Sequence, residues 1–379
     1  MFDFIDRRNT HAIKLEKYRD QPLMPMWVAD MDLATAPCVS KALQSRMEHQ
    51  VYGYTHPWPS LNQSVVNWCQ QEYDWSIEAD WIVWLPGVVP SFNLAIQAFA
   101  KGGRVITQEP NYPPLRAAAK LRGCTPVALP VTFNGATWQW DWQQLEQELA
   151  HPECHLIITC NPMNPHGTVL SPADMARLGA LCKQYQVVLC SDEIHCDLRL
   201  DASSVHTPAG LVDTLAARSL TLMAASKTFN VAGLGCSFAI IPDNALRQHF
   251  RHCGHDLVPH PNFLGYFAAE AAFTQGRPWL SDLLGHLRGN QQRLAEVING
   301  LSGLRYRPQA ATFLAWIESD FGPGEALRCF NEAGIMPSDG KDFGDPCSVR
   351  LNFGTDRATL EQALTQLSDY WRQNRPEVS

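Results

Sequence analysis

Short apolar runs separated by helix-like stretches mark the middle of this chain, and no other feature narrows its fold as much. The runs are Val105-Ile106-Thr107, Leu156-Ile157-Ile158-Thr159-Cys160, Val187-Val188-Leu189-Cys190, Leu220-Thr221-Leu222-Met223 and Phe238-Ala239-Ile240-Ile241. All have strand length. Helical patterns lie between several of them, such as Ala173 to Tyr185, where Pro172 suits a helix first turn. The alternation predicts βαβ units and an α/β fold with a mostly parallel sheet sandwiched by helices. Residues from Pro278 to Leu301 read as one long amphipathic helix, interrupted by Gly285 and Gly289. Beyond it the pattern changes. Thr312–Ile317 and Val349–Phe353 look like strands, and Gly324–Ala333 and Thr359–Gln373 like helices, which predicts a smaller α+β domain. We expect a large domain over 40–280 and a small one built from 1–39 with 281–379. The aromatic-rich Trp138-Gln139-Trp140-Asp141-Trp142 is explained by packing before a helix.

Length and composition agree with this reading. At 379 residues, two domains are the better prior, and 45% hydrophobic with 18% charged residues fits a globular protein with a large core. A net charge of -8 argues against a nucleic-acid partner. No apolar run approaches membrane-spanning length, and Met1–Arg8 holds no apolar signal core, so a cytoplasmic protein is expected. The twelve cysteines are scattered without a C-x-x-C pair, as small buried hydrophobes in a reducing compartment would be. His252, Cys253, His255 and His260 lie close in sequence but lack a complementary pair at metal-finger spacing, so no metal is expected.

The chemistry concentrates where apolar runs end. In a parallel sheet, ligands collect beyond the carboxyl ends of strands. Lys227, one of eight lysines, follows Leu220–Met223 directly in Ala224-Ala225-Ser226-Lys227-Thr228. A lysine desolvated there has a lowered pKa and can attack a carbonyl, and the aldehyde of pyridoxal phosphate (PLP) is the obvious one. Asp192 follows Cys190 and could pair with a protonated pyridine nitrogen, with His195 three residues on. Asn164, in Asn161-Pro162-Met163-Asn164-Pro165-His166-Gly167, could donate to a phenolate oxygen. Gly87-Val88-Val89-Pro90-Ser91 opens a helix predicted over Phe92–Phe99, whose free amides would suit a phosphate. Taken singly, each motif is adequately explained as a capped helix start or a turn. Together they are the parts of a PLP site.

The segments Asn161–Gly167, Ser191–His195 and Ser226–Leu234 resemble the fold-type-I, PLP-dependent aminotransferase superfamily. Trp27-Val28-Ala29-Asp30-Met31-Asp32, Tyr52-Gly53-Tyr54-Thr55, Asp192-Glu193-Ile194-His195 and Ser226–Asn230 look like its cystathionine β-lyase branch, the MalY/PatB type. The resemblance covers nearly the whole chain. It implies that Lys227 is the Schiff-base lysine, that Asp192 partners the ring nitrogen and that Asn164 bonds the ring hydroxyl oxygen. Tyr112 would stack on the ring, and the backbone of Val88 and Val89 with Ser226 would hold the phosphate. Arg350 would fork onto the substrate carboxylate. Tyr54 would reach the phosphate or substrate of a neighbouring subunit, implying a homodimer with shared active sites. Three positions depart from the wider superfamily: Ala224 stands where Ser is common, Gly235 where a phosphate-binding Arg is common, and His166 where Thr is usual. His195, where many aminotransferases have Tyr, is more like this branch.

The resemblance implies β-elimination from cystathionine or another cysteine S-conjugate, giving a thiol, pyruvate and ammonia. Transamination needs the same lysine, aspartate and arginine and stays open, as does a lyase with a second, regulatory protein-binding role.

Overall fold

The computed structural model describes Phe2 and residues 4–374. Eight strands form the main sheet: β1 (Ile82–Leu85), β2 (Arg104–Glu109), β3 (Thr125–Phe133), β4 (Trp138–Trp140), β5 (Cys154–Cys160), β6 (Val188–Asp192), β7 (Ser219–Met223) and β8 (Ser237–Ile240). Their spatial order is β1-β8-β7-β6-β5-β2-β3-β4. The pairs β7–β6, β6–β5, β5–β2 and β2–β3 are parallel. β8 runs antiparallel to both β7 and β1, and β4 closes the other edge as a hairpin on β3. The fold is the α/β type expected, with a mixed sheet and helices on both faces.

Residue alternation along the strands explains the two covered faces. Leu156, Ile158 and Cys160 of β5 pack into one apolar layer with Phe92, Leu94 and Ile96 of helix Val88–Phe99. Ile157 faces the other way, into a layer with Leu178 and Cys182 of helix Pro172–Tyr185. Parallel strands buried on both faces read as continuous apolar runs, which is why they were visible in the sequence.

A second sheet of four antiparallel strands follows: β9 (Leu304–Tyr306), β10 (Leu314–Ser319), β11 (Ser338–Asp339) and β12 (Val349–Asn352), in the order β9-β10-β12-β11. The helix Arg277–Ile298 is unbroken through Gly285 and Gly289. The N-terminal stretch pairs both within itself, at the Phe4–Leu33 bridge, and with a distant segment. Met24–Pro25 lies parallel to Ile335–Met336. Trp138–Trp140, read from sequence as packing alone, is the edge strand β4. Helix Val88–Phe99 starts four residues earlier than the sequence pattern suggested, which puts Val88 and Val89 in its first turn. All twelve cysteines are free. Among the described residues, no helix is long and apolar enough to cross a membrane.

The loop after β5 is clamped. Gly167 donates its N–H to Met163 O at 2.7 Å and accepts from Ala311 N at 3.0 Å. It holds φ +63°, and an added Cβ would lie 2.3 Å from Gln309 Cγ and 2.4 Å from the Ala311 carbonyl oxygen. A left-handed backbone and a backbone clash act together here. Gly167→Ala is therefore expected to destabilise the protein by about 2–3 kcal/mol. Denaturant midpoints check this, and a change below about 0.5 kcal/mol would show that the loop can relax.

Candidate active site

Because β1, β2, β5, β6 and β7 run in the same direction, their carboxyl ends share one edge of the sheet. The register sets Cys160 beside Asp192 and Asp192 beside Leu222, so the β5, β6 and β7 loops leave the sheet side by side. A cavity of about 700 Å³ opens above them, within the range of small-molecule and cofactor sites. Lys227, Asp192, His195, Asn164, Tyr112, Ser226, Val88, Val89 and Arg350 all line it. Nine of the ten expected site residues thus converge, from segments as far apart as Val88 and Arg350. The tenth, Tyr54, is fully exposed on a stretch without regular structure and does not line this cavity.

Lys227 sits in the turn Ala225–Thr228 that follows β7. Its Nζ donates to the carbonyl oxygen of Ala29 at 2.7 Å. Burial lowers its pKa to about 8; Asp30 and Asp192 oppose the shift and Arg350 adds to it. A tenth of such an amine is uncharged one unit below its pKa, far more than for a free lysine at neutral pH. Asp192 ends β6, and burial lifts its carboxyl to about 7. Its carboxyl oxygen Oδ1 accepts from Ile194 N at 3.1 Å. Burial, reinforced by Lys227 and Arg350, drops His195 to about 3, so its imidazole is neutral. Its Nδ1 is buried without a hydrogen-bond partner among the described residues.

Arg350 reaches the cavity from β12, which places the small sheet against the large one. Its Nη1 donates to Asn164 Oδ1 at 2.9 Å, and its Nη2 to Trp27 O at 2.7 Å and Ser338 Oγ at 3.2 Å. Its guanidinium carbon stands 4.7 Å from the centre of the Phe343 ring. No carboxylate pairs with it among the described residues, and burial lowers its pKa to about 10. A buried guanidinium without an anion suits an anionic ligand group. Tyr112 is fixed through its neighbour: Asn111 accepts from Tyr112 N at 2.7 Å, while Asn111 N donates to Phe343 O at 2.9 Å.

The loop position His166 turns away from the cavity. Its ring stacks on Trp138 at 4.4 Å and 6°, its Nδ1 lies 2.9 Å from Thr168 Oγ1, and burial pushes its pKa down to about 3. The residue that replaces the usual Thr therefore braces the loop against β4. Gly235 approaches the Pro86 carbonyl, with 3.4 Å left for a Cβ, and brings no charge to the cavity.

These donors fit PLP. The Val88 and Val89 amides at the start of helix Val88–Phe99 have no intrahelical partners, and with the Ser226 hydroxyl they offer a phosphate seat. A buried carboxyl lacking a cation suits a protonated ring nitrogen, and a buried amine of lowered pKa suits an aldehyde. The sequence reading missed the wall formed by Trp27–Asp30 and Phe343. Trp27–Asp32 was visible as a motif, but Ala29 acts through its backbone carbonyl, for which no side-chain signal exists.

Comparison with known proteins gives the family. The family profile of aminotransferase class I and II matches residues 22–367. Cystathionine beta-lyase PatB of Bacillus subtilis (strain 168) is 33% identical over 376 residues, spanning 96% of this chain and 97% of PatB. The crystal structure of OvoB superposes with a TM-score of 0.94 at 37% identity, covering 98% of each chain. That of cystalysin from Treponema denticola, which contains PLP, superposes with a TM-score of 0.93 at 27% identity, covering 98% of this chain and 99% of cystalysin. The chain belongs to the fold-type-I, PLP-dependent aminotransferase family, in its MalY/PatB-like cystathionine β-lyase branch, and PLP is its cofactor.

A lysine at position 350 would offer one point charge in place of the guanidinium fork. Arg350→Lys is expected to weaken binding of an amino-acid ligand at least tenfold, since a hydrogen bond to a charged group contributes about 1.5–3 kcal/mol. Titration of the bound cofactor's absorbance with the amino acid measures this, and equal affinity would show that the fork does not hold the carboxylate.

Proposed function

We propose that this protein is a PLP-dependent carbon–sulfur β-lyase that cleaves L-cystathionine, or another cysteine S-conjugate, to a thiol, pyruvate and ammonia. One observation carries the reading: Lys227, Asp192 and Arg350 line a single cavity in a chain of the cystathionine β-lyase branch. Arg350 receives the substrate carboxylate and so orients the α-carbon. Lys227, whose pKa burial lowers to about 8, removes the α-proton as general base. Asp192 would hold the positive charge of a protonated ring nitrogen. The bound PLP supplies an electron sink for the pair left by the broken Cα–H bond. As that pair forms the Cα=Cβ bond, the Cβ–S bond breaks and the thiolate leaves. The released 2-aminoacrylate hydrolyses to pyruvate and ammonia.

The proposal extends to a homodimer in a reducing cytoplasm. The exposed Tyr54 stands with Val51 and Tyr52, also exposed, on the stretch 51–58. Position 235, where the wider superfamily often has a phosphate-binding Arg, is Gly and carries no cation. Both facts support a partner's Tyr54 completing the phosphate seat. Tyr54→Phe is then expected to raise the half-saturating PLP concentration about tenfold, the effect of about 1.5 kcal/mol from one hydrogen bond to a charged group. Fluorescence titration with PLP checks this. Twelve free cysteines support the reducing compartment.

Purified protein supplied with PLP and L-cystathionine should release pyruvate and free thiol in equal amounts, and Lys227→Ala should release neither. Conversion of the cofactor to pyridoxamine phosphate without pyruvate would instead make it an aminotransferase.

A further inference from the structure

The segment Trp27–Asp32 crosses the lysine-bearing turn, and the steps above assign it no part. It is held from both sides. Asn230 accepts from Met31 N at 3.0 Å and donates to Met31 O at 2.9 Å and Leu33 O at 2.8 Å. Asn352 donates to Val28 O and, at 2.6 Å, to Asp30 O. The Asp30 carboxylate takes a two-pronged contact from Arg7, at 2.8 and 2.7 Å. Arg7 also reaches Asp32 at 3.3 Å, and Asp32 accepts from the buried Lys14 at 2.6 Å. A carboxylate gripped by a planar fork keeps one direction. These bonds leave the Ala29 carbonyl 2.7 Å from Lys227 Nζ and Asp30 on the same cavity wall.

We propose that Trp27–Asp32 is a positioning strap for Lys227: the Ala29 carbonyl fixes where the unlinked amine rests, and the Arg7-held Asp30 carboxylate favours its proton-bearing form. The inference rests on the reading that Lys227 carries the α-proton. Once freed, the amine must hold that proton in one place and not lose it to solvent. A carbonyl orients it in either charge state, whereas an anion stabilises only the ammonium. The groups whose charge acts on Lys227 are Asp30, Asp192 and Arg350, with His195 beside it; Arg7 is paired with Asp30, and Lys17, Tyr112, Asp339 and Asp342 also line the cavity. Arg350 works against the proton, His195 is neutral, and Asp192, which also favours the proton, would be taken up by the ring nitrogen once PLP is bound. Asp30 is the anion left to balance Arg350. Burial and Arg350 lower the lysine's pKa while Asp30 raises it, which agrees in direction.

The test titrates the amine itself. The full-length chain, freed of PLP, is treated with trinitrobenzenesulfonate across the pH range, and labelling of the Lys227 peptide is followed by mass spectrometry. Asp30→Asn keeps the shape and removes the charge. It should move the labelling midpoint down by about one pH unit, a tenfold gain in reactive amine below the midpoint. Asp30→Glu, which restores the charge, should return the midpoint close to the parent value. A structural role alone would leave the midpoint in place, so an unchanged midpoint in Asp30→Asn overturns the strap, as does a shift that Asp30→Glu shares equally. The pH titration of the bound cofactor's visible absorbance in the holoenzyme variants is expected to move in the same direction. A midpoint shift in a chain whose holoenzyme makes no pyruvate would support the strap while sinking the lyase reading.

Discussion

Three ionisable side chains, Lys227, Asp192 and Arg350, are buried around one cavity, and the surrounding structure is shaped by the cost of keeping them there. Burial disfavours the charged form of each group, and all three shift in that direction. The fold offsets this with opposed charges and fixed dipoles: the Ala29 and Trp27 carbonyls, the Asn164 amide oxygen and the Ile194 N–H. A residual mismatch remains, and it is the useful part. An amine near pKa 8 and a carboxyl near 7 are poised to exchange protons with a ligand that supplies the missing partners.

Beneath the cavity a second polar layer keeps these groups in place. Asp197 accepts from Trp68 Nε1 and Thr228 Oγ1, both at 3.0 Å, and from the Tyr73 hydroxyl. Thr228 is the neighbour of Lys227, so this carboxylate ties the lysine turn to helix Pro59–Tyr73. Glu193, the neighbour of Asp192, pairs with His206 at 2.7 Å and accepts from Ala209 N at 2.9 Å. Both buried acids are satisfied by several donors, the condition under which a buried polar network stiffens its surroundings.

Much of the fold was legible because the relevant physics is local. Strands buried on both faces are continuous apolar runs, and β2, β5, β6, β7 and β8 were found that way. Direction was not legible: the run at Phe238–Ile241 looks like its parallel neighbours, yet β8 is antiparallel. β4 was passed over because a three-residue strand holds too little pattern to separate it from a packed turn. The early start of helix Val88–Phe99 escaped because two β-branched valines weaken its first turn as a sequence signal.

The sequence by itself determined the chemical inventory: which side chains could act, and that they follow apolar runs. Strand-end residues are readable since a parallel sheet gathers successive carboxyl ends at one edge. Tertiary structure alone decided what meets what. The Ala29 carbonyl lies on Lys227 across 198 positions of chain, and Arg350 meets Asn164 across 186. Nothing local encodes such contacts. A backbone carbonyl is identical at every residue, and its place depends on the Asn230 and Asn352 clamps, on Arg7, and on packing Met24–Pro25 beside Ile335–Met336.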